Sequence, residues 1–210
     1  MFAHLPSLHG VGFFAAAALL LALTPGPGMM YVTARTLSGG KADGVASALG
    51  TSVGGLFHVF IATVGLSALL AASARAFSLI KYVGAAYLLF LGVRAILTAR
   101  RAQTFSAAKA HGPRRAFLEG ALTEALNVKT ALFFLAFIPQ FVDHTQAAAP
   151  QFAMLGTLCV CLNTTVDFMV VLLASRLTQF FQSSAKPARR LQYVSGSVLL
   201  GLGAYLALSD

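Results

Sequence analysis

Charge is scarce in this 210-residue sequence: 10% of its residues are Asp, Glu, Lys or Arg, and only six are acidic. With 58% of positions hydrophobic, that balance excludes a soluble enzyme and indicates an integral membrane protein. Cysteine is nearly absent as well. The two present, Cys159 and Cys161, stand two residues apart on one predicted helix and point to different faces, so they neither pair readily nor share a metal. No Cys, His and carboxylate set has a metal-site spacing, and no Gly-x-Ser-x-Gly or phosphate-loop pattern occurs. Catalysis, a bound metal and a cofactor therefore have no support in the sequence. Met1 to Gly10 contains no Lys or Arg, so the first apolar run does not read as a cleaved signal peptide and is kept as a helix.

What is present is apolar sequence in long runs, at about 11–36, 45–71, 77–98, 116–138, 149–175 and 191–208. Each is near the roughly 20 residues that a spanning helix needs. The expected fold is an all-α integral membrane protein of six transmembrane helices, a single transmembrane domain over residues 1–210. Inside the first run lies Thr24-Pro25-Gly26-Pro27-Gly28. Proline removes an amide donor and clashes with the preceding turn, and glycine is a weak helix former, so the chain is expected to unwind or kink there. Freed backbone groups at membrane depth are tolerated where they are buried in protein or line a polar cavity. The segment is thus either a packing kink or a solute site built on a broken helix.

The cations cluster in alternate loops: Arg35 and Lys41, then Arg94 to Arg115 around a basic loop at 99–115, then Arg176 to Arg190. The other loops offer Arg75 and Lys81. By the positive-inside rule the basic loops are cytoplasmic and both termini lie outside. Contact with anionic lipid accounts for the net charge of +9 without a nucleic-acid partner.

The two halves of the chain also resemble each other. Ala18, Leu19, Ala22 and Leu23 align with Ala121, Leu122, Ala125 and Leu126, which sets Thr24 on Asn127. Tyr82-Val83, Leu88-Leu89, Leu91 and Gly92 align with Tyr193-Val194, Leu199-Leu200, Leu202 and Gly203. A repeat of three helices, about 7–98 and 116–208, has odd length, so its second copy enters the bilayer from the opposite side as an inverted repeat.

The alignment puts the polar residues of the fourth helix opposite the break in the first. Glu124, Asn127 and Lys129 fall within about two turns of its centre, where an ionised group needs a partner or water. Glu124 and Lys129 either neutralise each other as a structural pair or serve a solute. In the second case Lys129 and the amides near Gly26 and Gly28 attract a carboxylate, while Glu124 handles an ammonium or a proton. His58 in the second helix is a candidate for proton coupling, with a hydrogen-bonded core role as the plainer reading. Asp167 in the fifth helix, four residues after Asn163 on the same face, is a stronger candidate for binding a proton or a substrate amine. Gly50, Gly54, Gly55, Gly84 and Gly92 read as sites of close helix packing, which permits a homodimer without requiring one.

Taken in order, Thr24-Pro25-Gly26-Pro27, Gly39-Gly40, Gly44, Ala48-Leu49-Gly50, Gly54, His58, the Lys81 to Gly92 segment, Asn127 to Phe134 and Pro139-Gln140-Phe141 resemble the LysE/RhtB amino-acid exporters across nearly the whole chain. The resemblance implies a six-helix inner-membrane carrier that exports amino acids or related metabolites, driven by the proton gradient. Two positions depart from the family pattern: Gly28 stands where Asn is common, and Val128 where Pro is common. Loss of that proline leaves the fourth helix expected to be less broken. The reading is alternating access, with an amino-acid solute held between Thr24–Gly28 and Asn127–Lys129 and competing with a proton for Glu124 or Asp167. The rivals are a carrier for a metal cation or another metabolite, and a passive channel.

Overall fold

In the computed structural model, residues 8–66, 74–99, 112–143, 145–176 and 186–208 are described, and among them every regular element is helical. We number the α-helices α1 Leu8–Leu23, α2 Pro27–Ile61, α3 Ala74–Thr98, α4 Pro113–Ala125, α5 Val128–Ala136, α6 Ala148–Arg176 and α7 Lys186–Leu208. A π-helical turn at Ala62–Leu66 extends α2, and a 3-10 helix at Ile138–Phe141 follows α5. Most of the expected basic loop at 99–115 and the side chains of Arg75 and Lys81 lie outside the described residues.

Two boundaries differ from the sequence reading. The loop expected between the first two apolar runs is helical up to a kink at Gly40, whose φ of 74° is open to glycine and strained for other residues. The fourth run is not a continuous helix: α4 and the segment Val128–Phe141 meet at 45°. The missing proline at Val128 therefore does not straighten it. Asn127 ends one helix and caps the next, its side-chain oxygen accepting from the Lys129 amide at 3.1 Å, and a cap of this kind breaks a helix without proline. By length and composition two helices among the described residues can cross a membrane, Pro27–Gly65 and Ala148–Arg176, and the bent pair makes a third.

Helix α2 packs along α4 and α6, while α3 packs along α7. Glycine makes both crossings close. A Cβ at Gly54 would meet the Ala121 carbonyl and the Ala125 amide, and one at Gly120 would meet the Ser47 carbonyl, so the α2 and α4 backbones touch. Between α3 and α7 the contact is reciprocal: Gly92 lies on Leu200, and Gly203 lies on Leu89. The main core is aromatic, with Phe14, Phe133, Phe137 and Phe152 fully enclosed beside Leu88, Ile138 and Leu155. Phe57, Phe60, Leu97, Leu122 and Leu172 face outward, large apolar side chains suited to hydrocarbon.

The glycine crossings give a direct expectation. Gly54→Leu must push two backbones apart and is expected to cost about 1–3 kcal/mol, read as a lower melting temperature in detergent. Gly201→Leu, with nothing within 4 Å of the new Cβ, is expected to melt like the parent.

Candidate functional site

Two helix breaks meet in the interior. At the first, α1 ends at Leu23, Thr24 bonds its hydroxyl back to the Leu20 carbonyl at 2.8 Å, and α2 begins at Pro27. Such an end leaves carbonyls at α1 and amides at α2 without helical partners. Lys129, in the first turn of α5, supplies one side. Its ammonium donates to the Thr24 carbonyl at 2.9 Å and to the Leu21 carbonyl at 3.3 Å. A cation at the carbonyl end of a helix is also favoured by the helix dipole. Gly26 makes room for this contact, since a Cβ there would stand 2.8 Å from the lysine nitrogen. Its backbone is extended, so the demand for glycine is one of space.

Glu124 occupies the other side. Its carboxylate lies against the Cα of Gly28 in the first turn of α2, where an anion is favoured. An Asn at position 28 would displace it, so Gly28, the departure from the family pattern, is matched to the place of Glu124. Both carboxylate oxygens are bonded: Thr130 donates to one at 2.6 Å and Asn127 Nδ2 to the other at 2.9 Å. Glu124 and Lys129 form no direct ion pair among the described residues. Each is held instead by the break it serves.

The remaining candidates stand behind this layer. His58 Nε2 lies 2.9 Å from the Glu124 carbonyl, which can only accept, so the ring donates there and braces the end of α4. Asp167 is buried on α6 and accepts from Thr51 at 2.9 Å. Thr51, rather than Asp167, lines the cavity, together with Thr24, Gly26, Gly28, Glu124, Asn127 and Lys129. Ser52, Thr130 and Asn163 complete its polar wall. Pro25 and Pro27 instead face a separate opening across the breaks. The enclosed volume is about 20 Å3, room for one water but not for an amino acid. In this form the cavity is too small for the solute itself.

The sequence reading missed a second polar cluster. Arg35, counted there only as a loop cation, is buried and pairs with Glu119 at 3.0 Å. The Tyr31 hydroxyl donates to the same carboxylate at 2.9 Å and receives a bond from Arg35 Nε at 3.1 Å, while Arg115 holds the other oxygen at 2.6 Å. This group ties the start of α2 to α4. An Arg-x-x-x-Tyr spacing read backwards, Tyr31 four residues before Arg35, was the available hint that both share a face.

The Asn127 carboxamide accepts from the Lys129 amide through its oxygen and donates to Glu124 through its nitrogen. Asn127→Asp keeps the cap but sets two carboxylates together, and Asn127→Ala loses both bonds. Each is expected to destabilise by about 1–3 kcal/mol in thermal unfolding, with Asn127→Asp the less stable at neutral pH.

The LysE type translocator family matches residues 19–210. An "uncharacterized membrane protein" of Vibrio cholerae is 33% identical over 192 residues, covering 90% of this chain and 92% of its own. The "homoserine/homoserine lactone efflux protein" of Salmonella typhimurium is 29% identical, covering 90% of this chain and 91% of its own. The "leucine efflux protein" of Klebsiella pneumoniae is 29% identical, covering 99% and 98%. No solved structure matches the chain. The similarity runs through both breaks and the polar cavity between them, and the chain belongs to the LysE translocator family.

Proposed function

We propose that this chain is a secondary transporter that exports an amino acid or a closely related metabolite across the bacterial inner membrane, driven by the return of protons. The observation that carries the reading is the enclosed polar cavity at the junction of two broken helices, with a lysine and a glutamate at opposite ends of one break. The names of the Salmonella and Klebsiella relatives, both efflux proteins for amino acids or a derivative, support it.

In this reading α1 with the first part of α2, the rest of α2, α3, the α4–α5 pair, α6 and α7 are six spans in two inverted repeats. The reciprocal glycine contact supports the repeat: exchanging Gly92 for its aligned Gly203, and Leu89 for Leu200, turns one contact into the other. Both termini lie outside, by the distribution of cations. The solute displaces the ties at Thr24 to Gly28 and Asn127 to Lys129 on binding, its carboxylate drawn by Lys129 and its ammonium by Glu124. A proton competes with that ammonium for Glu124 or Asp167, which enforces exchange. The bond from His58 to a backbone carbonyl supports a bracing role for that residue rather than proton transfer. Lipid and protons are the partners required, and glycine-rich faces allow a homodimer.

The test is reconstitution in liposomes under a pH gradient with labelled amino acids. The wild type is expected to move one or a few of them uphill. Glu124→Gln or Asp167→Asn is expected to abolish gradient-driven movement while the protein stays folded. Coupled export retained in both variants overturns the carboxylate mechanism, and downhill movement alone in the wild type indicates a channel.

A further inference from the structure

Across the breaks from the enclosed cavity lies a crevice of about 390 Å3, bounded by α3, α7 and the two broken segments. Gly26, Asn127 and Lys129 line both spaces, so one thickness of backbone and the Lys129 side chain separate them. The volume is within the range of small-molecule sites. Its walls are of two kinds. Met30, Leu91, Leu126 and Leu199 are apolar, whereas Arg94 and Gln192 are polar. Gln192 Oε1 is buried without a hydrogen-bond partner, an acceptor facing no donor of the protein. The Arg94 guanidinium has no carboxylate partner among the described residues, and none of the described lining residues is acidic.

An unsatisfied acceptor, an uncommitted guanidinium and an apolar wall suit one class of molecule. We propose that the crevice is a second solute site, the antechamber of the enclosed cavity, and that it takes a zwitterionic amino acid with an uncharged side chain. Arg94 holds the carboxylate, with the two-pronged geometry that guanidinium offers. Gln192 Oε1, out of solvent contact in this form, accepts from the ammonium once its side chain turns into the crevice, and the solute's side chain lies on the leucine and methionine wall. A cationic side chain meets Arg94 and Lys129 with no counter-charge among the described lining residues, and an acidic one is desolvated against aliphatic carbon. This inference rests on the amino-acid carrier reading above and names the solute that reading leaves open.

The experiment is counterflow in liposomes with labelled leucine and alanine, for the wild type, Arg94→Gln, Arg94→Lys, Gln192→Leu and Leu91→Trp, each checked for an unchanged melting temperature. Arg94→Gln and Gln192→Leu are expected to raise the half-saturating leucine concentration, Arg94→Gln about tenfold or more, with a smaller change in maximal rate, and Arg94→Lys recovers part of it. Leu91→Trp is expected to weaken leucine exchange more than alanine exchange, and unlabelled lysine and arginine to compete poorly. If Arg94→Gln and Gln192→Leu keep the wild-type half-saturation and Leu91→Trp keeps the leucine-to-alanine ratio, the crevice holds lipid; the proposal falls while the carrier reading stands. Lysine exchanged as readily as leucine overturns the uncharged side chain. A folded wild type that exchanges no amino acid overturns both readings together.

Discussion

The bond between the Lys129 ammonium and the carbonyls of Leu21 and Thr24 sets the relation between the two broken helices, and most of the interior is arranged around it. It joins groups more than a hundred positions apart, and it answers a need on each side. The end of α1 has carbonyls with no helical donor, and a half-buried cation in the interior requires acceptors. Once the lysine is drawn to α1, Asn127 is left to cap α5 alone, and Gly26 must remain bare to let the side chain pass.

Glu124 gives the arrangement its second half. Its carboxylate is fully bonded by Asn127 and Thr130, while its backbone carbonyl receives His58. One residue thereby links α4 to α5 through its side chain and α4 to α2 through its main chain. The Arg35, Tyr31 and Glu119 group repeats the α2–α4 tie nearer the start of α4, with an ion pair in place of a carbonyl bond. The broken helices are thus joined at several levels by polar contacts, while apolar packing and bare glycine hold the surrounding helices together.

What could be read in advance follows from whether the cause is local. The first break was legible because Pro25, Gly26 and Pro27 oppose a helix wherever they occur. The second was not expected to be so sharp, because Val128 carries no such signal and the break rests on a side-chain cap at Asn127. Asn before a helical run is a known start signal, but within a continuous apolar stretch it reads as a polar residue in mid-helix. Glu124, Asn127 and Lys129 were identifiable as unusual by burial cost, whereas their partners were not, since nothing in the sequence ties Lys129 to Leu21 or Arg35 to Glu119. Thr51 and Thr130 escaped for a related reason: a hydroxyl in a membrane helix can bond its own backbone, so its presence does not announce a second partner. The glycines read as packing residues were placed correctly because their only contribution is the lack of a side chain.

The size of the enclosed cavity has an electrical consequence. A volume of about 20 Å3 admits a single water and so cannot contain a file of them. Each elementary charge that crosses a bilayer under 100 mV releases about 2.3 kcal/mol, and a wet interior would let protons run down that potential without work. In this form Glu124 and Lys129 are bonded to protein partners, and the space left between them is too small for such a file. A carrier that rests with so small a polar cavity is expected to leak few protons through it.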